Sequence, residues 1–212
     1  MIVDQFEYQR DTVGQDARVI LDVGAKYGHF TAQYLRIFPN AHVWAFDCAP
    51  KAIERLHQEF DGNERVTIAP VALLDKPCET SFHLCQRAGS NSVHPITNTF
   101  AQETRNTDTI TVCATTLDQY CEQHDIKQID LLKTDVEGAD LAVLRGADRL
   151  FGGGRIRNLY VELLYYPYYQ DQCWHWEICW YLDRWGYALY ALFPTYWGGR
   201  IRYANGLFVR GD

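Results

Sequence analysis

The sequence predicts an α/β fold in which a mainly parallel sheet carries helices on both faces. Two observations favour it. Short apolar segments with the character of strands recur along the chain, and segments with apolar residues at helical spacing separate them. Because parallel strands need a crossover connection, this alternation predicts βαβ units. The 212 residues fit a single domain, residues 1–212, with one sizeable core.

The first half supplies three strand candidates and two helices. The strand candidates are residues 18–22, 42–47 and 65–73. Between the first two, YGHFTAQYLRIF has its large apolar side chains at helical spacing, and Pro39 ends it. Between the next two, PKAIERLHQEF begins with Pro50, which suits the first turn of a helix.

The second half repeats the alternation. IDLLKTDV reads as a buried strand, GADLAVLRGADRLF as one helix with its leucines inward, and NLYVELLY as the next strand. Two more strands are expected at residues 188–193 and 206–210. Ligands of such sheets bind beyond the carboxyl ends of the strands, so the residues that follow each strand are the candidates for function.

Two regions interrupt this pattern. Residues 78–116 contain the short strand candidates TSFHLC and TITVCA, joined by the polar loop RAGSNSVHPITN, and predict an insertion beside the sheet. An aromatic-rich C-terminal region spans about 163–203. We expect its helical residues Trp176 and Trp180 to lie in the core. The segments YYPYYQ and PTYWGG are expected in loops, where they contact a sugar or aromatic molecule or, with equal weight, the partner in a homodimer.

Composition and charge exclude several classes of protein. A formal net charge of −7 argues against a nucleic-acid partner, which normally calls for a face dense in Lys and Arg. No apolar run approaches the length of a membrane span, and the N-terminal MIVDQFEYQRD lacks the apolar core of a signal peptide. Seven cysteines, an odd number, predict reduced thiols. We therefore expect a cytoplasmic protein without a membrane partner.

The segment VILDVGAKYGHFT is the first that carries chemistry. Asp22 ends the first strand, Gly24 permits a tight turn, and Gly28 lets a ligand or a helix approach the backbone closely. The glycine spacing, with Lys26 in the middle, differs from the G-x-G-x-x-G of dinucleotide-binding folds. An acid at this strand end would repel pyrophosphate and attract an ammonium group. The segment thus predicts a nucleotide-like ligand, and NAD fits it poorly.

A second acid follows the second strand candidate. Asp47 closes VWAFD, and a carboxylate in this position can accept both hydroxyls of a ribose. The alternative is that Asp47 caps the helix that Pro50 begins, since carboxylates are favoured at helix N-termini. The two roles are compatible, and Asp47 alone does not separate NAD from other nucleosides.

The segment TTLDQYCEQHDIKQIDLLKTDVEGADLAVLRGADRLF, residues 115–151, resembles the signature of the FkbM-type family of class I S-adenosylmethionine-dependent methyltransferases. ERVTIAPVALLD and NLYVEL resemble that family's third and fifth strand regions, so the resemblance covers most of residues 19–163. It implies a Rossmann-like class I methyltransferase fold, with a seven-stranded, mainly parallel sheet whose last strand is antiparallel. It also implies S-adenosyl-L-methionine as the cofactor.

The resemblance assigns roles to individual positions. Together with the glycine turn, it gives as cofactor-binding residues Asp22, Gly24, Lys26, Tyr27, Gly28, Asp47, Val71, Ala72 and Asp75. Asp22, Gly24 and the turn at residues 26–27 would surround the methionine part of the cofactor. Asp47 would hold the ribose, and the last three residues would lie by the adenine. Lys26 stands where the family usually has Asn, and its ammonium could favour the cofactor's carboxylate.

Asp135 and Glu137 follow the fourth strand, where the resemblance places the methyl-transfer region. Most of the catalysis can come from orientation, and an alcohol acceptor additionally needs a base for its proton. Asp135 is the preferred base, with Glu137 or Glu162 as alternatives. The competing role for Asp135 and Glu137 is to cap the helix that starts near Gly138.

The loop RAGSNSVHPITN supplies a further polar candidate, His94, because histidine acts near neutral pH. If the loop folds back as a lid, His94 would sit over the site. Ser90, Asn91 and Ser92 would then bind a polyhydroxylated acceptor.

The expected activity is metal-free O-methylation of a hydroxyl on a small molecule or glycan. An alternative is a Mg²⁺ site at Asp135 with Asp47 or Glu162. Two rival classes stay open, a NAD-binding oxidoreductase and a non-catalytic cofactor-binding module. The oxidoreductase is disfavoured because the sequence lacks the required glycine spacing and a second, catalytic domain. The binding module is disfavoured because the acids of the site are retained.

Overall fold

The computed structural model describes residues 4–211, so Met1 to Val3 and Asp212, which the predicted domain includes, lie outside the described residues. The strands in chain order are β1 (Val19–Val23), β2 (His42–Phe46), β3 (Val66–Ala69), β4 (Ala72–Leu73), β5 (Cys78–Cys85), β6 (Asn106–Thr115), β7 (Ile129–Thr134), β8 (Ile156–Leu164), β9 (Tyr187–Trp197) and β10 (Arg200–Arg210). The helices are α1 (Gln5–Val13), α2 (His29–Ile37), α3 (Pro50–Phe60), α4 (Leu117–Gln123), α5 (Asp140–Arg145), α6 (Asp148–Gly152) and α7 (His175–Asp183).

Seven strands form the central sheet in the order β3-β2-β1-β7-β8-β10-β9. In this sheet the neighbouring strands β3, β2, β1, β7 and β8 are parallel to one another. Strand β10 runs antiparallel to both of its neighbours, β8 and β9. The predicted α/β fold, with a seven-stranded, mainly parallel sheet and an antiparallel last strand, is therefore confirmed. The carboxyl ends of β1, β2, β7 and β8 meet along one edge.

Helices cover both faces of the sheet, because side chains of each strand alternate between them. On one face, Ile20 of β1 packs with Tyr34 of α2 and with residues of α1. On the other face, Leu21 of β1 packs with leucines of α4, α5, α6 and α7, among them Leu144. Within residues 4–211, no helix combines the length and hydropathy needed to cross a bilayer.

Two predicted elements are each divided in the structure. The strand expected at 65–73 ends at Ala69, because Pro70 has no N–H for the ladder, and the chain resumes as β4 in a second sheet. The helix expected for GADLAVLRGADRLF is α5 and α6, with a break at Gly146. A Cβ at Gly146 would overlap the backbone oxygen of Leu74, so this close approach requires glycine.

A second, three-stranded sheet stands beside the first in the order β4-β6-β5. It contains the short strands predicted for the insertion at about 78–116, and it also takes β4, which precedes that segment. The loop between β5 and β6 folds back towards the central sheet. There the Ser92 hydroxyl donates a 2.7 Å hydrogen bond to the backbone oxygen of Glu137. The small sheet thereby covers the edge where the parallel strands end.

The aromatic-rich region at about 163–203 corrects two predictions. Trp176 and Trp180 are 55% and 64% exposed, not core, because α7 buries its opposite face through Ile178, Tyr181 and Leu182. The segment PTYWGG is not a loop beside a strand end. Its first four residues complete β9, and the two glycines, both with positive φ, turn the chain into β10.

Candidate active site

Four acids come together where the parallel strands end. Asp22 lies within β1, Asp47 follows β2, Asp135 follows β7, and Glu162 lies near the end of β8. Neighbouring parallel strands point their carboxyl ends the same way, so acids far apart in sequence converge at this edge. The structure thus brings together the acids that the sequence singled out after its strands.

The turn after β1 is shaped by its glycines. Gly24 has φ +76°, and a Cβ there would overlap the backbone oxygen of Asp135. Gly28 has φ +80°, and a Cβ there would collide with the ring of Phe60. Glycine is required at both positions. Gly28 therefore allows α3 to pack closely against the backbone of this turn. The close approach of a helix is one of the two roles that the sequence left open for this glycine.

Asp47 organises this turn through both carboxylate oxygens. Its Oδ2 accepts the Lys26 N–H at 2.8 Å, and its Oδ1 accepts the Ala49 N–H at 2.9 Å. Burial raises the pKa of Asp47, and these backbone donors oppose the rise. Ala49 directly precedes α3, and within residues 4–211 no side chain caps the N–H groups of this helix, so Asp47 orders the turn before α3 and does not cap the helix itself. Asp47 also lines a cavity, so a ligand can reach it.

Lys26 connects two acids of the site. Its Nζ lies 3.0 Å from Asp135 Oδ1 and 2.7 Å from Glu137 Oε1. Burial alone would lower the pKa of Lys26, but the attraction of Asp135, Glu137 and Glu162 outweighs it and holds the pKa well above its ordinary value. Lys26 is therefore a fixed positive charge in the middle of the acids.

The same contacts separate the behaviour of Asp135 and Glu137. Burial opposes ionisation of Asp135, yet Lys26 and Lys133 hold its pKa below the ordinary value. The pKa of Glu137 is raised, because burial outweighs its contact with Lys26. The Tyr169 hydroxyl donates to Glu137 Oε2 at 2.6 Å. Tyr169 was not among the candidates predicted from the sequence, where it is one of many tyrosines.

Asp22 supports the turn from within the sheet. It is fully buried, its Oδ2 accepts the Thr31 hydroxyl at 2.7 Å, and its Oδ1 lies 3.0 Å from Lys133 Nζ. Lys133 also donates to the backbone oxygens of Val23 and Gly24 at 3.2 and 2.8 Å. The predicted direct contact of the Asp22 carboxylate with a ligand's ammonium is therefore corrected: its partners are protein groups. Lys133 was not among the residues predicted for the site.

A first cavity, which we call the Asp47 cavity, has a volume of about 310 Å³. It lies between the strand ends and the small sheet, from which Phe82 and Leu84 form a wall. The predicted residues that line it are Gly24, Lys26, Tyr27, Asp47, Val71, Ala72, Asp135 and Glu137. Most of the predicted cofactor residues thus surround one cavity.

A second cavity, the Glu162 cavity, has a volume of about 680 Å³. It adjoins the first at Lys26, Asp135 and Glu137, which line both. Aromatic and amide side chains form much of its wall, namely Phe30, Phe100, Tyr168, Phe193, Tyr203 and Asn205. The site therefore has two compartments that meet at a charged boundary.

Two predicted residues lie elsewhere. Asp75 is exposed and lines a separate hollow beside Trp176 and Arg145, away from the Asp47 cavity. His94 is half-buried. Burial lowers the pKa of His94. The loop does fold over the site, where Asn91 lines the Asp47 cavity and Ser90 lines the Glu162 cavity, but His94 lines neither.

The carboxylates of Asp135, Glu137 and Glu162 lie within 4.8 Å of one another. Such spacing is compatible with a cation, but the ammonium of Lys26 already bridges two of the three. Lys26 supplies the positive charge that the cluster attracts. The absence of a metal cofactor stays a prediction.

Asp140, at the start of α5, should make stability depend on pH. It is fully buried, and burial together with Asp135 raises its pKa to about 7. The folded protein keeps this proton to higher pH than the unfolded chain, so stability falls as pH rises towards and through 7. Asp140→Asn should remove that fall. In calorimetric scans, the Tm of the variant relative to wild type should increase from pH 5 to pH 8. Each kcal/mol of difference in the free energy of unfolding corresponds to about 2–4 °C in Tm. A difference in Tm that does not change with pH would contradict the assignment.

The fold and the acidic signature match a known family. A model of the methyltransferase FkbM domain matches residues 22–189. The chain belongs to the FkbM methyltransferase family. This confirms the resemblance predicted from the sequence, and with it the class I methyltransferase fold and S-adenosyl-L-methionine as the family's cofactor. The alternative of a NAD-dependent oxidoreductase does not fit the family.

Individual relatives are distant. The 2-O-methyltransferase NoeI of Sinorhizobium fredii is 27% identical over 163 residues, which are 73% of this chain and 66% of NoeI. Methyltransferase 1 of Beauveria bassiana is 26% identical over 152 residues, which are 63% of this chain and 59% of that protein. The chain thus spans less than two thirds of the length of each of these two relatives.

An rRNA methylase from Streptococcus thermophilus has a similar structure, with a TM-score of 0.56 and 12% identity, and the match covers 100% of this chain and 99% of that one. At this identity the similarity concerns the fold alone.

Proposed function

We propose that this FkbM methyltransferase transfers a methyl group from S-adenosyl-L-methionine to a hydroxyl oxygen of a small molecule or glycan. The observation that carries the proposal is the meeting of the two cavities at Lys26, Asp135 and Glu137. A donor in one compartment and an acceptor in the other would have their reacting atoms at this boundary. Holding two reactants in register is the main contribution that a protein makes to such a transfer.

The Asp47 cavity fits the cofactor chemically. Its volume of about 310 Å³ lies within the range of small-molecule sites. Val71, Ala72 and Phe82 offer apolar walls for a flat base, and Asp47 offers carboxylate oxygens for the hydroxyls of a ribose. When bound, the cofactor supplies an electrophilic methyl group on a sulfonium. The residues around it bind, orient and exclude water.

The Glu162 cavity suits a hydroxylated acceptor. Tyr168 and Tyr203 offer ring faces, Asn205 offers an amide, and Arg87 offers a guanidinium at the rim. Rings and hydrogen-bonding groups together suit a saccharide or a phenol. The relative NoeI is a 2-O-methyltransferase, which supports oxygen as the accepting atom.

Several finer expectations stay proposals. All seven cysteines are free, which is consistent with the reduced thiols and cytoplasmic location expected from the sequence. The net charge of −7 favours a small acceptor over a nucleic acid. A homodimer through the exposed aromatic residues stays an expectation.

The test begins with calorimetric titration of the purified protein with S-adenosylhomocysteine and, separately, with NAD. We expect saturable binding of the thioether and none of NAD. Methyl transfer is then assayed from S-adenosylmethionine to a panel of methyl hexosides, N-acetylhexosamine oligosaccharides and catechol. Product carrying an O-methyl group supports the proposal. Binding of the thioether without transfer to any member of the panel would favour the non-catalytic binding module instead.

A further inference from the structure

Glu162 differs from Asp135 and Glu137 in its contacts. It lies in β8 opposite Asn205 of β10, is only 6% exposed, and lines the Glu162 cavity. Its Oε2 is buried and has no hydrogen-bond partner among the described residues. A buried carboxylate oxygen without a partner is costly, so such a group calls for a function that uses the free oxygen.

The neighbouring acids are engaged by protein donors. Asp135 Oδ1 contacts Lys26 at 3.0 Å, and its Oδ2 lies 3.9 Å from Lys133. Glu137 uses one oxygen for Lys26 and the other for Tyr169. Donors that hold the charged form of a carboxylate weaken it as a base. Of these three acids, Glu162 is the one that lines the Glu162 cavity and has a carboxylate oxygen that no protein donor in the described part of the chain engages.

The surroundings also make Glu162 the stronger base. Burial raises its pKa well above the ordinary value, the charges of Asp135, Glu137 and Asp140 raise it further, and Lys26 opposes them. The other titratable groups that face it are uncharged at neutral pH, namely Tyr168, Tyr169 and Cys173. A catalytic base works best when its pKa lies near the working pH.

We infer that Glu162 is the general base that accepts the proton of the acceptor hydroxyl, an assignment that rests on the proposed function. The hydroxyl proton moves to the carboxylate of Glu162 while an oxygen lone pair forms the bond to the methyl carbon. The carbon–sulfur bond breaks and its electron pair stays on sulfur, which leaves a neutral thioether. Asp135, the base preferred from the sequence, then acts as the anchor of Lys26.

The variant Glu162→Gln tests this with little change in shape. With an acceptor from the panel that the wild type methylates, kcat should fall by about 10²- to 10⁴-fold. The affinity for S-adenosylhomocysteine should stay within about threefold, since Glu162 does not line the Asp47 cavity. In the wild type, kcat should rise with pH as Glu162 ionises, and this rise should be absent in the variant.

Asp140→Asn is the matched control, because Asp140 is a buried acid next to Glu162 that contacts the Val136 N–H rather than a cavity. It removes one negative neighbour of Glu162, so the rise of kcat should move to lower pH and persist. A second readout needs no acceptor. The Tm of the unliganded wild type should fall as pH rises through the pKa of Glu162, and Glu162→Gln should reduce this fall.

The outcomes separate the two proposals. Wild-type protein that binds S-adenosylhomocysteine but methylates nothing in the panel would overturn the proposed function together with the base. Equal kcat for wild type and Glu162→Gln, with an active wild type, would overturn the base alone. If Glu162→Gln lowers kcat but kcat still rises with pH, the general-base role would also be overturned. Glu162 would then only support the geometry of the site.

Discussion

Replacing Lys133 by methionine is expected to lower the free energy of unfolding by about 3–5 kcal/mol, because it leaves Asp22 as an unpaired charge in the core. The ammonium lies 3.0 Å from Asp22 Oδ1 and also holds the backbone oxygens that end β1. Both side chains are almost completely inaccessible to water, so solvent cannot replace the lost contact. Urea unfolding monitored by circular dichroism measures the change.

Lys127→Met provides the control for the same chemical change at the surface. The Lys127 side chain is 75% exposed and pairs with exposed Asp125, so its loss should cost at most about 1 kcal/mol. The double variant Asp22→Asn with Lys133→Met should be more stable than the sum of the single effects, because the orphaned charge is gone. A loss below about 1 kcal/mol for Lys133→Met would refute the importance of this pair.

The second large effect is expected at Asp47. Asp47→Ala should weaken the binding of S-adenosylhomocysteine by roughly 30- to 1000-fold, which corresponds to about 2–4 kcal/mol. Under the proposed function the variant loses hydrogen bonds from the ribose hydroxyls to a carboxylate. It also frees the N–H groups of Lys26 and Ala49 that shape the turn. Calorimetric titration measures the affinity.

Asp61→Ala is the control, since Asp61 is an exposed acid at the far end of α3 and should leave the affinity unchanged. Asp47→Asn separates the two contributions, because an amide keeps an acceptor oxygen for a backbone N–H but loses the charge. Affinity within about threefold of wild type for Asp47→Ala would remove Asp47 from the cofactor site.

The sequence predicted the acids of the site better than the groups that hold them. Asp47 and Asp135 were recognisable because an acid directly after a strand of a parallel sheet must lie at the ligand edge. Lys133 was not recognisable, because it is a single lysine within the buried strand segment IDLLKTDV. Its partner Asp22 lies 111 residues earlier in the chain. Tyr169 likewise reaches Glu137 across 32 residues of sequence.

The errors in the fold have a similar origin. The helix of Trp176 and Trp180 has bulky apolar residues on both sides, so periodicity alone does not tell which side faces the sheet. The division of the strand at Pro70 depends on the small sheet that receives β4, and that sheet forms by contacts between β4 and residues near 115. Such choices are made by tertiary packing, which a local pattern does not contain.

The place of β10 between β8 and β9 has a consequence for how acceptor preference can evolve. Because the last strand enters the sheet there, the β9–β10 hairpin forms one wall of the Glu162 cavity through residues 192–195, Tyr203 and Asn205. The Asp47 cavity is built entirely from residues 23–139. If the cavities hold donor and acceptor as proposed, selection can remodel the final hairpin, by substitution or exchange between relatives, and leave the residues around the donor intact.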